Sequence, residues 1–195
     1  MKLRITYNAP VVLTLTLAAV AVYILTHTVE ALAPWFVAYP QITDSRSYLG
    51  LVTHVFGHKD WAHLLGNFTL ILLIGPILEE RHGSMRLLFM MVVTALVTGG
   101  ANLLLGSNLL LGASGLAFMM ILLASMANVR VGEIPLTFLA AAAIYMGGEI
   151  VRSASNDNIS HMAHLVGGGV GGIFGYVTAR RTKPKAAVAA PGLPS

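Results

Sequence analysis

Apolar stretches of about twenty residues recur along this chain, set apart by short polar or charged segments, and their spacing predicts six helices. The runs cover residues 10–32, 60–78, 85–105, 109–127, 134–151 and 160–178. Each is close to the ~20 apolar residues that a helix needs to cross the hydrocarbon of a bilayer. The fold class expected is an all-α membrane protein, a bundle of six transmembrane helices. Residues 1–9 form a short basic N-terminus, 10–179 the six-helix domain and 180–195 a basic, disordered tail rich in Pro, Ala and Gly. Ala31-Leu32-Ala33 has the small-x-small look of a signal-peptide cleavage site. The run before it is long for such a signal, Pro34 follows directly and further spans come after, so it reads as an uncleaved first span.

Between the first two runs lies the longest connection, 33–59, which carries Trp35, Phe36, Tyr39 and Tyr48. Such aromatic content suits the lipid–water boundary, and a loop of this length in a small bundle is usually functional.

Composition agrees with the pattern. Of 195 residues 56% are hydrophobic and 10% charged, against about 25% charged in a soluble domain. There is no cysteine, which removes a disulfide framework and a thiol nucleophile. The net charge of +4 follows topology and does not call for nucleic acid. With the N-terminus inside, the inner segments hold Lys2, Arg4, Arg81, Arg86, Arg130, Arg180, Arg181, Lys183 and Lys185, and the outer ones only Arg46, Lys59 and Arg152. Positive residues mark the cytoplasmic side, so both termini are expected there, with the basic tail against anionic lipid.

Chemistry converges on the stretch 111–117, where Ser114 stands among Gly112, Ala113 and Gly115. Small neighbours alone would make this a packing face. The topology adds a base and donors at one depth. His63, Ser114 and His164 each fall about a turn into a helix that starts at the outer face, roughly 5–8 Å below the boundary at ~1.5 Å per residue. Asn67 lies on the face of His63, one turn deeper. In the sixth helix, Gly167, Gly171 and Gly175 form a ridge, flanked by Gly168 and Gly172, that allows two backbones to pack in near contact. His164 sits one turn before it. Packing the ridge on the small residues around Ser114 would bring imidazole to hydroxyl, and a serine hydroxyl needs a base to become a nucleophile. His164 is the better candidate for that base, since His63 is paired on its own helix with the Asn67 amide. His63 and Asn67 would stabilise an oxyanion, with the Ser114 backbone N–H as a further donor. No acid lies at this depth, so a dyad is expected; Asp157 and Glu149 are the nearest acids in sequence.

These residues carry a resemblance. The run 53–67, with His54, His58, His63 and Asn67, resembles the histidine-rich start of the second span of rhomboid intramembrane serine proteases. The run 78–84 looks like their E-x-R-x-G-S, Gly112-Ala113-Ser114-Gly115 like G-x-S-G, and Ala163 to Gly171 like A-H-x-x-G-x-x-x-G. The resemblance implies the six-helix rhomboid fold of the small bacterial-type members in a bacterial or archaeal cell membrane. It also implies a Ser114–His164 dyad, an oxyanion site using His63 and Asn67, and support from Gly112, Gly115, Phe118, Gly167 and Gly171. The implied activity is endopeptidase cleavage of transmembrane segments of single-span membrane proteins near their outer end, without cofactor or metal. A membrane-embedded first loop and lateral access between spans two and five are implied too. Leu49-Gly50 stand where the family often has Trp-Arg, and Phe118 where a tyrosine often supports the histidine ring; phenylalanine keeps the stacking surface.

His54, His58 and His161 read as hydrogen-bonding within the first loop and the start of span six. The competing reading clusters them with His63 and His164 around zinc or copper. Glu79 and Arg81 read as structural, tying the inner end of span two to the neighbouring loop. A different class of function is a non-catalytic rhomboid-like protein that binds membrane clients, but such proteins typically lose the serine or the histidine. A transporter would need a carboxylate at mid-membrane, and none is found.

Overall fold

The computed structural model describes residues 6–106, 108–126, 133–152 and 161–179. The expected tail 180–195, the loop carrying Asp157 and the side chain of Glu149 lie outside the described residues. Regular structure there is helical: α1 (Pro10–Thr28), α2 (Ser45–Thr53), α3 (Trp61–His82), α4 (Ser84–Leu105), α5 (Ser114–Ser125), α6 (Leu136–Ala141), α7 (Gly147–Arg152) and α8 (His161–Ala179). Two 3-10 segments, Glu30–Phe36 and His54–Phe56, shape the first loop, and a π-helical stretch, Ala142–Met146, joins α6 to α7.

Four helices, α1, α3, α4 and α8, are long and apolar enough to cross a membrane. They turn large apolar side chains outward: Leu73 is 69% and Leu104 81% exposed. Isolated exposed leucines are ordinary in a soluble protein. Long helices clad in them belong in lipid, which asks the backbone to satisfy itself and the side chains to be apolar. The chain is an integral membrane protein. Of the six expected spans, four fall on these long helices; the other two fall on shorter apolar helices, Ser114–Ser125 and Leu136–Met146.

The fourth expected span differs most, because its first residues are not helical. Leu110 pairs antiparallel with Ala38, exchanging N–H···O bonds of 2.8 and 2.9 Å. The Asn102 amide donates to the carbonyls of Ala38 and Asn108. Gly112 takes φ 114°, a conformation open to glycine that ends any helix there. Ser114 is therefore the first residue of α5, where it was expected about a turn inside a helix. Apolar character alone could not separate an extended buried segment from a helical one.

Helix α5 is the axis of the bundle, with every residue from Gly115 to Leu123 buried. It packs most extensively against α8, and also against α3 and α4. At the other end, Gly83 at φ 82° is the whole connection between α3 and α4. Beside it the buried Glu79 carboxylate accepts from the N–H groups of Val11 and Val12, 3.0 Å each, and from the Ser84 hydroxyl at 2.7 Å. The first turn of α1 has orphan donors and no cap of its own. A carboxylate from α3 caps it, so Glu79 ties α3 to α1 and α4, and its partners are helix starts where a loop was expected.

Candidate active site

The sequence places Ser114 at a helix start for a local reason. Gly112 ends the extended segment, Ala113 is the N-cap residue, and Ser114 opens the first turn. The first backbone N–H groups of a helix have no intrahelical acceptor and point outward with the positive end of the helix dipole. The half-buried Ser114 hydroxyl thus stands where donors for a developing anion are already present.

Helix α8 reaches this point because its glycines lack side chains. A Cβ built on Gly167 would overlap the Gly115 carbonyl, standing 2.8 Å from its carbon. One on Gly171 would overlap the Met119 carbonyl, and one on Gly175 would lie 2.6 Å from the Met126 Cβ. The ridge of α8 thus lies along α5 at backbone contact, as the spacing of its glycines predicts. His164, three residues before Gly167, stacks on Phe118 with ring centroids 4.5 Å apart and planes 5° from parallel. That stack fixes the imidazole plane against α5, one turn beyond Ser114. Tyr145, from the π-helical stretch, meets the Phe118 ring edge-on at 6.0 Å. The His161 ring lies 6.4 Å from that of His164.

From the opposite side α3 brings His63 and Asn67. Asp60 caps α3 by accepting from the His63 backbone N–H at 2.7 Å, which fixes the first turn of the helix that carries His63. A Cβ on Gly112 would lie 2.7 Å from His63 Nε2 and 3.3 Å from Asn67 Nδ2. Both side chains therefore reach the residue two before Ser114. The expected pairing of His63 with Asn67 is replaced: Asn67 Nδ2 donates to His58 Nε2 at 3.0 Å, and His63 Nδ1 is buried without a partner among the described residues. His63 and Asn67 share a helix face, but the amide turns to a ring from the first loop.

That loop holds His54 and His58, expected to hydrogen-bond within it. His58 also accepts from the Ala113 N–H at 3.4 Å, and the Gly112 N–H donates to the His54 carbonyl at 2.9 Å. His54 is buried, its Nδ1 donating to the Gly50 carbonyl and its Nε2 3.3 Å from the Thr98 hydroxyl. Burial pushes both His54 and His58 down to about 4, so both rings are neutral near pH 7. Their hydrogen bonds extend beyond the loop, to α3, α4 and the segment before Ser114. The signal for this was the clustering of His54 and His58 just before the capped start of α3. Among the described residues no three metal-ligating side chains converge. A cavity of about 340 Å³ lies between α1, α4 and the loop, lined by residues such as Leu15, Phe56, Met91 and Leu116 and by none of His54, His58, His63, Asn67, Ser114 and His164.

Comparison with known sequences gives two matches. The sequence pattern of the Rhomboid domain matches residues 45–181. Rhomboid-related protein 1 of Caenorhabditis elegans is similar, 33% identical over 141 residues, the match covering 64% of this chain and 38% of that protein. The chain thus spans less than half the length of that relative.

Proposed function

This chain belongs to the rhomboid family, and we propose on that footing that it is an intramembrane serine endopeptidase using Ser114 as nucleophile and His164 as base. In this reading the Ser114 hydroxyl attacks the carbonyl carbon of a scissile peptide bond while His164 takes its proton. The tetrahedral oxyanion is met by His63, the Asn67 amide and the Ser114 backbone N–H. The amine departs with the proton held by His164, leaving an ester on Ser114. Water, deprotonated by His164, then attacks the ester and releases the new carboxylate and the serine.

The observation that carries this reading is the side-chain-free contact of Gly167 with Gly115, together with the stack of His164 on Phe118. It joins the serine-bearing and histidine-bearing helices at the residue next to Ser114 and one turn from His164. The proposed substrates are transmembrane segments of single-span proteins, cut near their outer end. Six crossings, with α5 and the helix from Leu136 onward completing the count, and both termini in the cytoplasm belong to the same reading.

The test is labelling of the detergent-solubilised protein by a fluorophosphonate, alongside cleavage of tagged single-span proteins in liposomes. Wild type should label and cleave, and Ser114→Ala and His164→Ala should do neither. Labelling that persists in Ser114→Ala refutes the assignment of the nucleophile. A wild type that binds membrane proteins and neither labels nor cleaves supports a client-binding role.

A further inference from the structure

An amide side chain has two ends of nearly one shape and opposite polarity. Only its NH₂ end can stabilise an oxyanion; the carbonyl end would repel it. Asn67 therefore needs something to decide which end faces Gly112 and Ser114.

The decision can be traced to two backbone groups. The Phe56 carbonyl lies 3.2 Å from His58 Nδ1 and can only accept, so Nδ1 carries the proton of the neutral ring. The Ala113 N–H can only donate, and it points at His58 Nε2, which is therefore the lone-pair nitrogen. Each observation fixes the tautomer independently of the other. A ring nitrogen with a lone pair, 3.0 Å from the Asn67 amide, selects the NH₂ end. The same nitrogen of Asn67 lies 3.3 Å from the place a Gly112 Cβ would occupy, so the NH₂ end is the one beside the segment before Ser114. The His58 ring has little room to turn. It is 3% exposed, packs edge-on against His63 at 5.0 Å and meets the Phe68 ring at a tilt at 5.7 Å.

We propose that His58 is a positioning residue of this site: held between the Phe56 carbonyl and the Ala113 N–H, its lone pair orients the Asn67 amide so that an N–H faces the oxyanion. The inference rests on the proteolytic reading above. His58 touches no reacting atom and acts through Asn67 and through the backbone just before Ser114.

Three substitutions test it, with kcat, KM and melting temperature measured for each. His58→Leu keeps volume and removes the acceptor. His58→Gln carries an acceptor at the reach of Nε2, and His58→Asn ends near Nδ1 and falls short of Asn67. Loss of one oxyanion donor typically costs ~100-fold or more in kcat. Leu and Asn should lower kcat by about ten- to a hundredfold with KM within about twofold, and Gln should restore most of it. In an Asn67→Ala background, His58→Leu should cost less than about twofold further, because what it positions is gone. Should His58→Leu fail to melt cooperatively, the contrast of Gln with Asn decides. Equal kcat for Gln and Asn, or losses that multiply with Asn67→Ala, overturn the proposal. If wild type cleaves and His58→Leu matches it, this inference alone falls; if wild type neither cleaves nor labels, the proteolytic reading falls and takes it along.

Discussion

Gly167→Ala adds one methyl group at the point where α8 touches α5, and its effect can be worked from the contact itself. The new Cβ would stand 2.8 Å from the Gly115 carbonyl carbon and 2.9 Å from its Cα. Carbon atoms rest at about 3.5 Å or more and the carbonyl oxygen lies closer still, so the helices must part by at least ~0.7 Å. No flexible side chain can absorb this, because both contacting atoms are backbone. Overpacking of this kind costs about 1–3 kcal/mol. The displacement also reaches chemistry, since His164 lies one turn from Gly167 and Ser114 is the neighbour of Gly115. Misplacement by about 1 Å is worth ~100-fold in rate, so kcat/KM should fall between ten- and a hundredfold in a protein that still folds. Gly169→Ala is the internal control. It lies on the same helix, has nothing within 4 Å of its Cβ position, and exchanges glycine for the best helix former, worth ~0.8–1.0 kcal/mol. It should keep wild-type cleavage and melt no lower. Substrate cleavage in liposomes with melting in detergent reads both. Wild-type rates in Gly167→Ala, or an equal loss in Gly169→Ala, would refute the argument that backbone contact sets the distance between the two groups.

Three further outcomes follow from the structure. Gly112→Ala should slow fluorophosphonate labelling by about a hundredfold, because a side chain there is strained at φ 114° and would press on His63 Nε2 at 2.7 Å; a labelling rate within twofold of wild type counts against it. Glu79→Gln should lower stability by about 1–3 kcal/mol with kcat unchanged, since one buried oxygen that accepts from the α1 donors becomes an NH₂ group; an unchanged melting temperature would contradict the capping role. Acid should destabilise the fold between pH 6.5 and about 4, because the unfolded state takes up a proton on His54 at the ordinary value while the buried ring resists it down to about 4. His58 acts with the same sign over the same range, so His54→Asn should reduce that slope of melting temperature against pH by about half, and an equal slope in both proteins would sink it.

Helix existence was legible because lipid demands long apolar runs, and α3, α4 and α8 lie within a few residues of where the hydropathy pattern puts them. The glycine ridge was legible too, since its spacing of four residues admits few uses other than close packing. Helix starts were not. The segment before Ser114 is apolar for burial, and its extended form comes from Ala38, more than seventy residues earlier. Nothing local announces such a pairing. The π-helical stretch at Ala142–Met146 was hidden similarly, within a run of small residues that reads as ordinary helix. Polar partners were the least legible: Asn67 and His63 share a face by spacing, and the amide still chose His58.

That choice bears on what the first loop is for. Its hydrogen bonds meet the approach to Ser114 at three positions: Leu110 through Ala38, Gly112 through the His54 carbonyl, and Ala113 through His58 Nε2. Two of the three use backbone carbonyl or amide groups of the loop, so their strength depends on how the loop is folded more than on side-chain identity. Close glycine contacts fold it: a Cβ on Gly50 would overlap the Val37 carbonyl, and one on Gly57 the Phe36 carbonyl. A serine at a helix start has no preceding turn to hold it, and the orientation of its hydroxyl is set by the segment that feeds it. Changes at Gly50 or Gly57 should therefore act on the rate of the chemical step through Leu110, Gly112 and Ala113, though neither glycine is among the residues that would touch substrate.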